Sequence, residues 1–544
     1  MVSTMKNLLI LTLTFFISAP LFSQPFTWQQ VLSDGNNIST WIGNTGVFNN
    51  DNRTTNTPGF QWPKGSNKFA IYTTGLTTAA YINDSLRFAS ASFSGEYRPG
   101  CILNGVLKTD STFKLYKVSR GDNNSNPDYA NWGLMIPFGA PYEDVNNNGS
   151  FEAGIDKPGM KNAAQTIFIC MTDGDSNTHT YSEGFGGGTK PLKAEMHLTV
   201  WSYDNFSSMQ DVQFVRMEMV NRNSSSWNKT YFGLFCDPDL GSYEDDYLGC
   251  DTLRNLGYCY NGDNIDGTGG SNHYGANPPA VGIDMLSGAV NKSVTPNLSL
   301  AMTSFVYVWH SGSETCAIYS QISSEAYNFL RGLKKDSTPY INMVNMQPSK
   351  YCYSGDPETN TGWNEQQGQM LNCGGSLVGP VWIPSPPNEM RFVMSSGADN
   401  FTVAPGEKQT FIFAQMMARG SNNLNSVTKL KQLDDAVQVF YENGFNVGIN
   451  TISTEVPGSF SLYQNYPNPF NPSTKIKFEI PLSEFVNITV YDLTGKVIEE
   501  LVNQNLNAGV YETEFSAKNI STGIYFYRLK TPSFTQTKRM ILIK

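Results

Sequence analysis

Residues 144–156 read DVNNNGSFEAGID. Side-chain oxygens fall at alternate positions, Asp144, Asn146 and Asn148, and Gly149 follows where the chain must turn sharply. Alternate residues of a tight loop converge on one point, and Ca²⁺ collects about six to eight oxygens. Ser150 would add its carbonyl, and Glu152 or Asp156 the closing carboxylate. The pattern departs from an EF-hand, because position twelve is Ile155 and Asp156 comes one residue late. It suits a calcium loop of the kind carried by surface β-proteins; an Asn-rich β-turn without metal is the plainer reading. A second set stands in DPDLGSYEDDYLGCD: Asp237, Asp239, Asp245, Asp246 and Asp251. Carboxylates this dense repel unless a cation or solvent relieves them. A solvated acidic loop is the equal alternative. Asp263, Asn264 and Asp266 in NGDNIDG form a weaker group still.

Motifs for catalysis are missing. There is no G-x-S-x-G, H-E-x-x-H or Walker loop, and in GFGGGTK Lys190 precedes Pro191. His179, His197, His273 and His310 are scattered, so neither a triad nor a zinc site is supported. A pair of carboxylates for glycoside hydrolysis is set by the fold and leaves no spacing to read. The eight cysteines contain no C-x-x-C and fit an oxidising compartment. Disulfides are expected within Cys236, Cys250 and Cys259, or between Cys352 and Cys373, with buried thiols as the alternative.

These side chains need elements to position them. Few charges (15%) and many aromatics (13%) suit secreted all-β architecture. The first 23 residues read as a signal peptide, with Lys6 ahead of the apolar run Leu8–Ala19. No other apolar segment is long enough to span a bilayer, so no transmembrane span is expected in the mature chain. The net charge is −10, and the body up to Ser459 carries −13, since Ser459 onward holds nine Lys and Arg against seven Asp and Glu and the first 23 residues add Lys6. An acidic body without a basic stripe argues against nucleic acid.

The body, 24–454, reads as strand after strand, possibly in two subdomains. In Ala194–Tyr203, Met196, Leu198 and Val200 alternate with Glu195, His197 and Thr199; in Asp211–Asn221, Val215, Met217 and Met219 oppose Arg216 and Glu218. Similar runs occupy 68–74, 86–97, 112–118, 166–171, 230–235, 298–309 and 409–417. The expected fold is a large β-sandwich with long loops, covered by a helix over Ser426–Asn443 that Asn425 or Ser426 caps and Gly444 ends. A shorter helix should follow Ser323 or Ser324. Residues 455–458 are a polar linker.

The tail, 459–544, runs YPNPFNPSTKIKFEIPL, VNITVYDLTGKVIEELV, AGVYETEFSA, STGIYFYRLKT and QTKRMILIK. Its short alternating strands give a small immunoglobulin-like sandwich. Pro467, Pro469 and Pro472 remove backbone donors, so their segment should be a stiff edge that holds the tail away from the body and then releases the chain into a strand at Thr474–Ile480. These blocks, in this order to the last residue, resemble the type A C-terminal sorting domain of the type IX secretion system, a family of the Bacteroidetes. The resemblance covers about a sixth of the chain. It implies passage through the periplasm to an outer-membrane translocon, with a sortase that commonly removes the tail and joins the cargo to surface lipopolysaccharide or releases it. The body resembles only loosely the uncharacterised cargo sandwiches that precede such tails.

Together these features describe a secreted or cell-surface protein, structural or adhesive, stabilised by Ca²⁺ and not an enzyme. Its expected partners are the translocon and sortase, surface lipopolysaccharide, glycans, or copies of itself. The alternative is a carbohydrate-binding protein or glycoside hydrolase. A Trp-lined groove with two carboxylates would favour cleavage, a Trp platform alone would favour binding, and a flat β edge would favour assembly.

Overall fold

The computed structural model describes residues 27–544 apart from 54–55, 181–182, 268, 312–313, 368–372, 374–386, 446–449, 454–455 and 518–519. The signal-peptide segment lies outside the described residues. The alternating runs of the body assemble into two large sheets. The first follows the order Gln30–Ser33, Thr40–Gly43, Val47–Phe48, Thr73–Ile82, Asn228–Asp237, Met390–Gly397 and Ser304–Trp309. The second follows Arg98–Pro99, Gln165–Thr172, Ala194–Ser202, Val212–Asn221, Lys408–Ala418, Ala280–Ser287, Leu256–Asn261 and Asp246–Asp251. Every pairing in both is antiparallel. Met196, Leu198, Val200, Val215, Met217 and Met219 all face the main core between the sheets, as their period of two requires.

The opposite face of the second sheet is also covered. The helix Asn423–Glu442 lays Val427, Leu430, Val437 and Phe440 on Trp201, Phe214, Tyr258 and Met416. Its cap is Asn422, whose side chain accepts the Asn425 N–H, three residues ahead of the expected start. At the other end of the same face, the 3₁₀ turn Trp132–Phe138 buries Trp132 and Met135 against Phe168 and Cys170. Glu195, His197 and Glu218, polar positions that alternation alone would send to solvent, are therefore buried. The short helix Ser323–Leu330 forms where expected. Some expected strands are broken. Tyr72 divides 69–82, the run after Ser85 ends at Ala89, and Leu298–Leu300 is separate from Ser304–Trp309. Conversely, Asp246–Asp251, in the middle of the acidic stretch, is an edge strand and not a loop.

The tail is two four-stranded sheets. One has the order Asn450–Ser453, Gly509–Ser516, Ser473–Ile480, Ser461–Leu462, and the other Val497–Leu506, Glu484–Tyr491, Gly523–Lys530, Thr535–Leu542. Its core, including Phe470, Phe478, Val490, Tyr527 and Leu542, contains tail residues only. The proline segment is not the spacer expected from its composition. Tyr466 and Lys475 exchange both backbone hydrogen bonds, the Phe470 N–H donates to Ile541, and the Ile543 N–H donates to the Phe470 carbonyl. The Asn465 amide donates to the Pro467 carbonyl and to Thr474 Oγ1. The prolines thus form an arch folded onto the tail, touching a strand of each sheet. Their missing N–H groups cost the arch nothing, because Tyr466 and Phe470 supply the donors.

Candidate functional site

The loop 144–156 closes a hairpin between Tyr142–Glu143 and Lys157–Pro158. Asp144 accepts the Asn148 and Gly149 N–H groups at 3.2 and 2.7 Å, and Gly149 turns with φ +77°. Asn148 Oδ1 accepts the Ser150 N–H at 2.8 Å. The amides of Asn146 and Asn148 both donate to Glu152 Oε2, at 2.6 and 2.7 Å. Asp144, Asn146, Asn148 and Glu152 are thereby gathered on one exposed turn. Asp156 is not among them. It is buried, and its two oxygens accept the Val145 and Glu152 N–H groups at 2.9 and 2.7 Å. Asp156 clips the loop from inside, and Glu152 is the carboxylate that the Asn146 and Asn148 amides meet on the turn.

The second acidic set is divided by the fold. Asp237 lies 2.9 Å from Arg391 Nε in the interior. Burial pushes its carboxyl up to about 6, against the pull of Arg391. Asp251 is 3.0 Å from Arg254 and 3.6 Å from Lys431, and Arg254 grips Asp435 on the covering helix. This carboxylate anchors a helix. Asp246 accepts the Leu240 N–H and Asp245 the Gly267 N–H, while Asp266 accepts from Ser242 and Tyr274. Burial holds the carboxyls of Asp239, Asp245 and Asp246 above their usual range. Their first task is to order the 237–274 loops. Among the described residues no three of these carboxylates share one coordination sphere.

One group among the described residues does come that close: Cys170, Glu195 and His197. Cys170 and His197 stand directly opposite on paired strands. The charges there are already matched. Glu195 Oε1 is 2.9 Å from His197 Nε2 and 2.6 Å from Arg222, and Glu218 reaches His197 Nδ1 at 3.5 Å and Lys408 at 3.0 Å. Burial alone would raise both carboxyls, yet these partners hold Glu195 and Glu218 down at about 2. Burial lowers His197, but its two carboxylate neighbours win and raise it. Burial also raises the Cys170 thiol. A cation would have to displace the His197 proton and compete with Arg222. The group is a buried ion-pair chain that runs across three neighbouring strands of the second sheet beneath the 3₁₀ cover.

A further cluster carried no motif. Glu183 accepts the N–H groups of Ser92, Phe93, Ser94 and Gly95. Glu96 accepts those of Ser90 and Gly188. His179 stands between them and Asp173, with Nδ1 3.5 Å from Glu96 and Nε2 3.5 Å from Asp173. Burial pushes Glu96 and Glu183 up to about 7; burial would lower His179, but Asp173 and Glu96 raise it to about 9. All three carboxylates are inside, and their hydrogen bonds clasp the loops around them. The glycine run 184–188 belongs to the same clasp. A Cβ on Gly186 would stand 2.5 Å from the Phe88 ring, and the chain there has φ +71°.

The cysteines also depart from expectation. Cys373 pairs with Cys316, their Cα atoms 5.5 Å apart, and not with Cys352. Cys250 and Cys259 lie on neighbouring strands, but Cys250 faces Gly257, so the two thiols are diagonal neighbours. Diagonal positions are about 7–8 Å apart, beyond the Cβ separation of about 3.5–4.5 Å that a disulfide needs.

No curated protein matches the chain. Among solved structures, a polysaccharide lyase shares 7% identity at a TM-score of 0.18, over 96% of this chain and 47% of its own. The chain thus spans about half of that lyase. Two structures of Salmonella alpha-2-macroglobulin, the mutant Y1175G and the form reacted with methylamine, share 8% and 9% identity. Both have a TM-score of 0.14, over 87% of this chain and 26% of theirs. Likenesses this slight carry no argument about the body. The tail is different. Residues 464–544 match the family described as "Secretion system C-terminal sorting domain". They span the proline arch, the whole of one tail sheet and two of the four strands of the other. This tail is a type IX secretion C-terminal sorting domain, and the protein that carries it is exported to the cell surface or secreted.

Proposed function

We propose that the body is a structural or adhesive surface module without enzymatic activity, and that its 144–156 loop takes Ca²⁺. The observation that supports this is where the rings and charges go. Trp62, Trp132, Trp201, Trp227, Trp309 and Trp363 are buried, and Trp41 lies beneath the Arg53 guanidinium at 3.7 Å. The clusters of His179 and His197 with Glu and Asp are sealed inside, while His310, half exposed, pairs with Glu389 at 3.4 Å beside Arg391. A sugar-binding platform needs exposed rings, and a hydrolase needs reachable carboxylates. The carbohydrate reading remains the alternative to be tested. The partners of the tail in this proposal are the outer-membrane translocon and a sortase; surface lipopolysaccharide is the proposed anchor.

For the loop, the convergence of Asp144, Asn146, Asn148 and Glu152 supports Ca²⁺ over Mg²⁺, which demands a tighter octahedron. A site formed only in the folded state stabilises by RT ln(1 + [Ca²⁺]/Kd), about 2.7 kcal/mol at a hundredfold excess over Kd. Extracellular loops bind at about 10⁻⁴ to 10⁻³ M, so millimolar Ca²⁺ gives a smaller gain. Melting with chelator and with millimolar Ca²⁺ should show an upward shift in wild type that Asp144→Ala loses. An equal shift in both proteins would clear this loop. The exported protein should adhere to cells or to itself while releasing no sugar ends from a polysaccharide panel. Such release would establish the hydrolase alternative.

A further inference from the structure

Two edge strands face each other across the open side of the body sandwich: Ser304–Trp309 of the first sheet and Asp246–Asp251 of the second. The segment 350–353 lies between them and bonds to both. The Phe305 N–H donates to the Lys350 carbonyl and the Cys352 N–H to the Phe305 carbonyl, each at 2.8 Å. On the other side, the Cys250 N–H donates to the Tyr353 carbonyl at 3.1 Å. Cys250 Sγ lies 3.3 Å from the Cys352 carbonyl oxygen. Both cysteines are buried in the same core. The chain enters an oxidising space on its way out of the cell, where one pair, Cys316–Cys373, is already formed.

We propose that Cys250 and Cys352 form a second disulfide, which staples the two sheets at this edge. Both are free thiols in this structure; the sulfur of Cys250 already sits against the backbone of Cys352, and joining the two sulfurs calls for a rotation of their side chains. The diagonal Cys250–Cys259 pair has no such route. The oxidant is an external disulfide of the exchange type, R–S–S–R. A thiolate of one cysteine attacks it and expels one R–S⁻. The second cysteine then attacks the mixed disulfide and expels the other. Two protein S–H bonds are lost, one S–S bond forms, and two R–SH leave with the protons. Both thiols are shielded in the finished fold, so the exchange belongs to folding, before 350–353 docks.

The test uses the full chain purified from the medium or surface of its host. The protein is denatured, alkylated without reduction, digested and mapped by mass spectrometry. The expected result is a peptide pair joined through Cys250 and Cys352, lighter by two hydrogens than the separate peptides, beside the Cys316–Cys373 pair. Alkylated Cys250 and Cys352 would overturn the proposal, and so would either one joined to Cys236 or Cys259. A second measurement compares melting before and after reduction in wild type and in the Cys250→Ala/Cys352→Ala double variant. Wild type should lose more on reduction than the variant, which keeps only Cys316–Cys373. Equal losses would overturn the staple.

Discussion

Glu96, Glu183 and His179 make the stability of the body fall as pH rises. The two carboxyls ordinarily titrate near 4.5 and are held at about 7 in the fold. The folded state therefore keeps protons that the unfolded state has released. Their contribution is complete below pH 4.5 and is lost as pH climbs through about 7. His179, raised from 6.5 to about 9, acts in the same sense over the next interval. Glu195 and Glu218, held at about 2, act oppositely: their contribution is present above pH 4.5 and fades as pH falls towards 2. The melting temperature should thus decline from pH 5 to pH 9, and Glu96→Gln should flatten the part between 5 and 7. A wild-type profile that rises over this range would refute the assignment. At this scale the sequence was legible only where a site is contiguous. The 144–156 turn could be read because the polar residues it gathers are neighbours in the chain. The His179 clasp could not, because its members lie up to 92 residues apart, on loops that only the fold unites.

At the scale of elements, period and caps were the readable signals. Strands with one apolar face, such as Ala194–Ser202, were visible, and so was the helix that ends at Glu442. The strand Asp246–Asp251 was hidden because four apolar or small residues, Tyr247 to Cys250, are bounded by acids. The polar face of Val212–Asn221 misled in another way. Alternation reports that a face differs from the core but not whether something covers it. The proline arch offers a sharper test. Phe470 is 1% exposed and packs 5.9 Å from the Phe515 ring. Phe470→Ala should cost the tail about 3–5 kcal/mol, read as an earlier unfolding transition of the tail with that of the body unchanged. If the tail transition stays put, the arch is ornament and the spacer reading returns.

For the whole molecule, the separation of cores is the governing fact. The tail core draws on residues 462–542 alone, and the body cores contain none of them. Deleting Ser459–Lys544 should leave the melting of the body unaltered while the protein stays behind in the cell, measured by fractionation and by calorimetry of the truncated chain. A truncated body that unfolds, or one that still reaches the medium, would contradict this division. The division was legible from the change of composition near Ser459. What the sequence concealed is that Asn450–Ser453, upstream of that change, is the outermost strand of the tail sheet, paired with Glu512, Tyr511 and Val510. Scission and departure are therefore separate events. A cut between Ser453 and Ser461 would sever the chain and leave the ladder intact, so the tail would remain docked on the strand of its former cargo. The lifetime of that nicked pair is a dissociation half-life, independent of how fast the bond was broken, and a freshly cut sample should migrate as one species on a non-denaturing gel and as two once denatured.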